Sequence, residues 1–163
     1  QILYNVPGRT GCDMLTDTVV RLSTVPNIIG VKEATGDLGR AKAILDQVDP
    51  SFLLYSGDDA TAGEFCLLGG HGVISVTANV APRLCAEFQA ACAAGDYAKA
   101  REYQDRLMPL HDAMFCETNP GPVKYAVSLL GKCSEDMRLP MVAPEDASRA
   151  RIRKAMQDVG LIN

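Results

Sequence analysis

The sequence predicts an α/β fold built on a parallel sheet, and three observations support this prediction. Short apolar runs alternate four times with segments whose apolar residues recur at helical spacing. Each run is continuously apolar rather than alternating, which is typical of parallel strands covered on both faces. Polar residues follow each run, as expected where the strand ends meet at one edge of a sheet.

The strands and helices are predicted to alternate through residue 94. Pro7-Gly8 closes the first strand and Gly69-Gly70 closes the third helix, because proline and glycine interrupt regular structure. The predicted strands are 2–6, 27–34, 51–57 and 72–78, and the predicted helices are 16–24, 38–48, 59–68 and 82–94.

The chain from residue 95 onward is predicted to be wholly helical. Asp96 is a candidate N-cap for a long amphipathic helix, and two further helices, 122–130 and 144–159, each begin with a proline. The sequence therefore predicts two parts, residues 1–94 with the βα units and residues 95–163 as a helical extension.

Four βα units fit either a doubly wound open sheet or half of an eight-stranded barrel. No G-x-G-x-x-G follows the first strand and no P-loop is present, so nucleotide-binding signatures are absent. Barrels carry their chemistry at the carboxyl ends of the strands, which favours the barrel. The polar residues at these ends are Tyr4-Asn5, Lys32-Glu33, 56–58 and 75–77.

Composition narrows the function classes. The 163 residues are 47% hydrophobic and 22% charged, as in folded globular domains. The net charge of −4 and the absence of a basic cluster argue against nucleic acid and membrane surfaces as partners, which leaves a small molecule. No apolar stretch reaches the roughly 18 residues of a membrane span and no signal peptide is recognisable, so we expect a cytoplasmic protein.

The cysteines and the first residue lead to two further expectations. Six cysteines are scattered without a C-x-x-C pair and only two histidines are present, so we expect neither a metal site nor a cofactor. The chain opens without Met, within two residues of a predicted strand. We therefore expect it to be a piece of a longer protein.

Lys32 is the first candidate catalytic residue because it ends an apolar strand. Burial of an unpaired amine lowers its pKa, and a neutral amine is a nucleophile toward carbonyls. The alternative is a lysine whose stem packs while its head reaches water or pairs with Glu33 or Asp37. Tyr4 lies one βα unit earlier, where its hydroxyl could relay protons to the amine; alternatively its ring fills a barrel layer.

Five motifs in order identify a family resemblance over the whole chain. The segments YNVPGRTG, GVKEATGD, SGDD, GGHGVISVTANVAP and NPGPVKYA resemble the C-terminal half of the dihydrodipicolinate synthase family. The resemblance implies an α/β fold of the (β/α)8 TIM-barrel family. Residues 1–94 would supply only the last four βα units, strands 5–8, and 95–163 the C-terminal helices.

The resemblance also implies the chemistry. The family is a class I aldolase-type lyase that condenses pyruvate with aspartate 4-semialdehyde, leading to diaminopimelate and lysine. Lys32 would form the Schiff base with pyruvate and Tyr4 would relay protons. The other residues implied to bind substrate are Arg9 at the semialdehyde carboxylate, Gly57 and Ile74 in the pyruvate pocket, and Asn119 as a weaker assignment.

Several alternatives remain at the sequence level. Arg9 could be a loop arginine paired with Asp13 or Asp37, and Asn119 could cap the helix near Pro122. N-acetylneuraminate lyase and keto-sugar-acid aldolases share the barrel, the lysine and the tyrosine, whereas Arg9 favours the synthase.

In the family, the N-terminal half that this chain lacks carries paired threonines that bind pyruvate, a second tyrosine and the lysine feedback site. We therefore expect a fragment that is inactive without that half. A half-barrel should also leave two edge strands, 2–6 and 72–78, and an exposed apolar interior. We favour a fragment that an N-terminal chain completes to a whole barrel, in a homo-oligomer (a dimer or tetramer, as in the family). The alternative is a non-catalytic half-barrel assembly that stands alone as a dimer or a swapped assembly.

Overall fold

The computed structural model describes all 163 residues, which form two compact units. The first unit covers Gln1–Ser75 and the second covers Val76–Asn163. The predicted division between residues 94 and 95 separates a barrel from its helical extension, and it stays a prediction.

The four predicted strands and the helices between and after them are present. The strands are β1 (Ile2–Asn5), β2 (Gly30–Glu33), β3 (Leu53–Ser56) and β4 (Gly72–Val73). The helices are α1 (Pro7–Thr10), α2 (Thr16–Leu22), α3 (Leu38–Leu45), α4 (Ala62–Leu67), α5 (Pro82–Ala93), α6 (Tyr97–Met114), α7 (Gly121–Leu129) and α8 (Asp146–Asp158), with a 3₁₀ helix at Thr77–Asn79.

The sheet of the first unit is parallel throughout, in the order β1-β2-β3-β4. The strands lie in the order of the sequence because each helical connection places the next strand directly beside the previous one, always on the same side. Side chains alternate between the two faces, so Leu3, Val31 and Leu54 share one face. That face packs against the helices, and the core is completed by Val19, Ala41, Ile44, Phe52 and Phe65.

The opposite face of the sheet is open. Ile2, Tyr4 and Ile74 are between 42% and 50% exposed, although sheet interiors are normally covered. The apolar runs alone indicate strands covered on both faces, whereas the missing half of the barrel predicts an exposed apolar interior. The structure agrees with the second expectation, because the helices of the unit pack on one face only. The edge strands β1 and β4 were also predicted, and the strand order confirms them.

The fourth strand is shorter than the predicted 72–78. Ile74 still donates its backbone N–H to the Ser56 carbonyl at 2.9 Å, after which the chain leaves the sheet. Because β3 ends at Ser56 and no strand lies beyond β4, later residues find no ladder partner. Thr77 instead enters the 3₁₀ helix, where its buried hydroxyl lies 2.7 Å from Nδ1 of His111.

Local side-chain hydrogen bonds shift other predicted boundaries. The helix predicted from Asp59 begins at Ala62, because the Asp58 carboxylate accepts hydrogen bonds from both Thr61 N–H and Thr61 Oγ1. The helix predicted over 38–48 ends at Leu45.

The second unit is helical apart from its connections. Asp96 accepts a hydrogen bond from the Lys99 N–H at 3.1 Å, which confirms the predicted N-cap of α6.

None of the helices of the chain combines the length and the hydropathy that a membrane span requires. In the second unit, the fully buried large side chains come from α6 and α8 and include Leu107, Leu110, Met114, Ile152 and Met156.

Candidate active site

Tyr4, Lys32 and Tyr55 lie side by side across three neighbouring strands. The parallel register pairs Tyr4 with Lys32 and Lys32 with Tyr55. All three side chains point to the open face, because their neighbours Leu3, Val31 and Leu54 face the helices. The amine is therefore flanked by two aromatic residues at the carboxyl edge of the sheet.

The Lys32 amine contacts the Tyr4 ring directly. Nζ lies 4.2 Å from the ring centroid, within the range of a cation–π interaction. Lys32 is half-buried, less than the burial expected from the apolar run before it. The alternative pairing with Glu33 is not found, because Glu33 points to the helix face and its oxygens accept hydrogen bonds from Asn5 and Thr35.

Gly57 leaves space for the Lys32 stem. A Cβ on Gly57 would lie 2.9 Å from Cε of Lys32 and 2.4 Å from Cβ of Ala34, closer than carbon atoms approach each other. Any larger residue would displace the lysine or the backbone beside it. The structure therefore places Gly57 next to Lys32, and the predicted role of Gly57 in the pyruvate pocket stays a prediction.

Ile74 and Arg9 lie on segments that follow strand ends. Ile74 directly follows β4 and is 42% exposed. Arg9 lies in α1, the short exposed helix after β1. Both oxygens of Asp13, one of the alternative partners predicted for Arg9, bind Arg40, at 2.9 and 2.6 Å.

Asn119 belongs to the second unit, in the segment before α7. The alternative that it caps this helix is wrong, because the N-cap position is Pro120 and no side chain caps it. The cap shifts because Gly121, not Pro122, is the first helical residue. The role of Asn119 in substrate binding stays a prediction.

Sequence reasoning missed a polar cluster behind the lysine. Asn5, Asp13, Glu33 and Arg40 form connected hydrogen bonds, and Asn5 and Glu33 are only 2% and 3% exposed. A signal was present, since Asn5 and Glu33 each directly follow a candidate catalytic residue. Tyr55 was missed for a different reason: its adjacency to Lys32 depends on the register of β3.

The Arg40 guanidinium lowers the pKa of the Asp13 carboxyl below its ordinary value of 3.8, and the Asn5 amide lowers it further. Because the pKa is lower in the folded state, this pair stabilises the fold fully above the unfolded pKa. The stabilisation is lost as the pH falls through the folded pKa.

We therefore expect Asp13→Asn to have a lower free energy of unfolding than wild type near neutral pH, and the difference to disappear in acid. Denaturant titrations at a series of pH values should show wild type and variant converging as the pH falls below 3.8. Arg40→Gln should behave in the same way, because it removes the partner from the same pair. A deficit that is constant at every pH would show that the carboxyl charge does not matter.

Comparisons with known proteins agree with this arrangement. The sequence profile described as the dihydrodipicolinate synthetase family matches residues 1–159. A curated 4-hydroxy-tetrahydrodipicolinate synthase from Pseudomonas aeruginosa is 58% identical over 162 residues, covering 99% of this chain and 56% of the relative. The Rhodospirillum centenum enzyme of the same name is 56% identical over 161 residues, with coverages of 99% and 55%.

Solved structures give the same result. The chloride-inhibited dihydrodipicolinate synthase of Acinetobacter baumannii, complexed with pyruvate, superimposes with a TM-score of 0.95 at 46% identity. The Thermotoga maritima synthase has a TM-score of 0.96 at 36% identity. The match covers 99% of this chain in both cases, and 55% and 56% of the solved chains.

The chain thus spans about half the length of the relatives it matches. These relatives are TIM-barrel enzymes, and the four-stranded parallel sheet with its helices is a part of that barrel. The predicted α/β fold of the (β/α)8 family is confirmed. The family profile covers nearly every residue, so the chain belongs to the dihydrodipicolinate synthetase family.

Proposed function

We propose that this chain is the C-terminal half of a lyase that condenses pyruvate with aspartate 4-semialdehyde through a Schiff base on Lys32. Such an enzyme serves lysine and diaminopimelate biosynthesis in the cytoplasm. The observation that carries the proposal is the Lys32 amine packed against the Tyr4 ring on the open face of the sheet. The names of the relatives, at 56–58% identity, support the same reaction.

The proposed chemistry begins when the Lys32 amine gives up its proton and attacks the pyruvate ketone. The carbinolamine loses water and becomes an imine, with the Tyr4 hydroxyl donating and accepting the protons that move. The protonated imine withdraws electrons from the methyl group, which loses a proton to form an enamine. The enamine carbon attacks the aldehyde carbon, and the aldehyde oxygen takes up a proton as the new C–C bond forms. The amino group of the bound semialdehyde then attacks the imine carbon, and the Lys32 amine leaves.

The remaining site residues bind substrate in this proposal. Arg9 presents a planar, permanently charged guanidinium, which binds a carboxylate through two parallel hydrogen bonds. Gly57 allows pyruvate to approach the backbone closely, and Ile74 offers an apolar wall. Asn119 is assigned to the substrate pocket from the resemblance only.

The N-terminal half of the enzyme completes the site in this proposal. Residues 1–94 form strands 5–8 of the barrel and 95–163 its helical extension, so strands 1–4 come from the other half. The two edge strands and the exposed apolar face are surfaces that further strands would cover. By resemblance, that half supplies the threonines that hold pyruvate and a second tyrosine, and the complete enzyme is a dimer or tetramer.

Borohydride trapping tests the proposal. The 163-residue chain is incubated with pyruvate and borohydride, alone and joined to the N-terminal part of the Pseudomonas aeruginosa relative, and the modified residue is located by mass spectrometry. We expect the reduced pyruvate adduct on Lys32 in the joined protein and little adduct in the chain alone. Normal trapping by the chain alone would show that the other half is not required.

The same joined protein distinguishes the alternatives. Addition of aspartate 4-semialdehyde should produce turnover, whereas N-acetylneuraminate and keto-sugar acids should not be cleaved. The absence of any lysine adduct in the joined protein would contradict the Schiff-base proposal and favour a non-catalytic assembly.

A further inference from the structure

The side chain of Asn5 closes the base of the loop that carries Arg9. Its Nδ2 donates to Oδ1 of Asp13 at 3.0 Å, and its Oδ1 accepts from the backbone N–H of Met14 at 2.9 Å. One side chain at the start of the loop therefore binds two consecutive residues at its end. Asn5 is 2% exposed, so water cannot readily replace these bonds.

The second proton of the same amide binds the strand that carries Lys32. Nδ2 of Asn5 also donates to Oε2 of Glu33 at 2.9 Å, and Glu33 is 3% exposed. Oε1 of Glu33 accepts from the Thr35 N–H at 2.9 Å, which holds the carboxylate in place. The Asn5 amide thus lies between the Arg9 loop and the residue next to Lys32.

Arg40 anchors the far end of the loop to α3. Its two terminal nitrogens bind the two oxygens of Asp13, and Nη1 also donates to the Met14 carbonyl at 3.0 Å. A bidentate guanidinium–carboxylate pair restricts both distance and orientation. The loop end is therefore fixed to a helix that packs in the core through Ala41 and Ile44.

We propose that Asn5 is a positioning residue that sets the affinity for the aldehyde substrate. It holds the Arg9 loop at a fixed place relative to the strand end that carries Lys32. The inference depends on the proposed function, in which Arg9 binds the carboxylate of that substrate. Asn5 itself touches neither substrate, and it acts through the loop.

Asparagine matches the three groups around it. Glu33 and Asp13 both require a donor and the Met14 N–H requires an acceptor, and an amide supplies two donors and an acceptor on one short side chain. Aspartate would place a third carboxylate among the first two. Alanine would leave the buried Oε2 of Glu33 without this bond, and would also remove the bonds to Oδ1 of Asp13 and to the part-buried Met14 N–H.

The first test measures the loop in the 163-residue chain and does not depend on activity. In Asn5→Ala we expect tryptic cleavage after Arg9 and hydrogen exchange of the Met14 amide to accelerate about tenfold, as for loss of a charge-assisted hydrogen bond. Ile44→Val, a core change in α3, is the control and should leave both rates unchanged. Unchanged rates in Asn5→Ala would overturn the proposed closure of the loop.

A milder variant covers the case in which Asn5→Ala does not fold. Asp13→Asn retains the side-chain volume but removes the carboxylate that both Asn5 and Arg40 bind. It should accelerate cleavage after Arg9 in the same direction by a smaller factor. If Asp13→Asn folds with an unaltered cleavage rate, the closure is likewise overturned.

The second test measures substrate use in the protein joined to the N-terminal part of the Pseudomonas aeruginosa relative. Asn5→Ala should raise KM for aspartate 4-semialdehyde about tenfold, the effect also expected of Arg9→Ala, while pyruvate trapping on Lys32 changes less than about twofold. Equal damage to trapping and to KM would overturn the positioning role. If Lys32 stays unmodified in the joined protein without substitutions, the proposed function and the proposed effect of Asn5 on KM are both refuted. The first test would still decide whether Asn5 closes the loop.

Discussion

Replacing Lys32 by arginine will abolish pyruvate trapping and reduce condensation by on the order of a thousandfold or more in the joined protein. Arginine keeps the positive charge beside the Tyr4 ring, so the cation–π contact and the local charge are preserved. Its guanidinium stays protonated and cannot attack a ketone. A loss of trapping in this variant would therefore come from the missing nucleophile and not from a change in the fold.

The matched control is Lys42→Arg. Lys42 lies on α3 and pairs with Asp46 on the surface, and it is not one of the candidate site residues on the open face of the sheet. An exposed pair contributes little, so this variant should have normal trapping and stability. A Lys32→Arg protein that still condenses its substrates would refute the covalent mechanism.

Changing Gly57 to alanine is expected to cause the second large effect. The new methyl group would lie 2.4 Å from Cβ of Ala34 and 2.9 Å from Cε of Lys32. Overpacking of this kind costs about 1–3 kcal/mol of stability. Displacement of Lys32 by about 1 Å should reduce the trapping rate about a hundredfold, because imine formation requires alignment of the amine with the ketone.

Gly70→Ala is the control for Gly57→Ala. A Cβ there would lie 2.2 Å from Cδ1 of Phe65, so the overpacking is comparable but no candidate site residue is contacted. Thermal unfolding and pyruvate trapping should therefore separate: both variants lose stability, and only Gly57→Ala loses trapping. Normal trapping in Gly57→Ala would show that the close contact seen with Lys32 is relieved without moving the amine.

The local patterns of the chain were sufficient to predict the order of its elements. Continuous apolar runs such as 27–34 predicted strands, and helical spacing predicted the helices between them. The prediction was too long at β4, where the number of paired residues depends on how far β3 extends. The open face was expected only from the missing half of the barrel and not from the apolar runs, because burial depends on which layers a chain brings to its sheet.

The candidate site was predictable where it depends on spacing along the chain. Lys32 and Tyr4 lie one βα unit apart, and parallel neighbouring strands bring such residues together. Gly57 was recognised from its motif, but the reason it must be glycine is a contact with Lys32 and Ala34 that no local pattern encodes.

The sequence by itself determined the βα alternation, the family resemblance and the choice of Lys32, Tyr4 and Arg9 as candidate site residues. Only the tertiary structure showed that Asn5 joins the Arg9 loop to the strand of Lys32. Its partners Asp13 and Glu33 stand at unrelated distances along the chain and meet only after the strands pair. Hydrogen bonds require about 3 Å between atoms, and that proximity is a property of the folded chain.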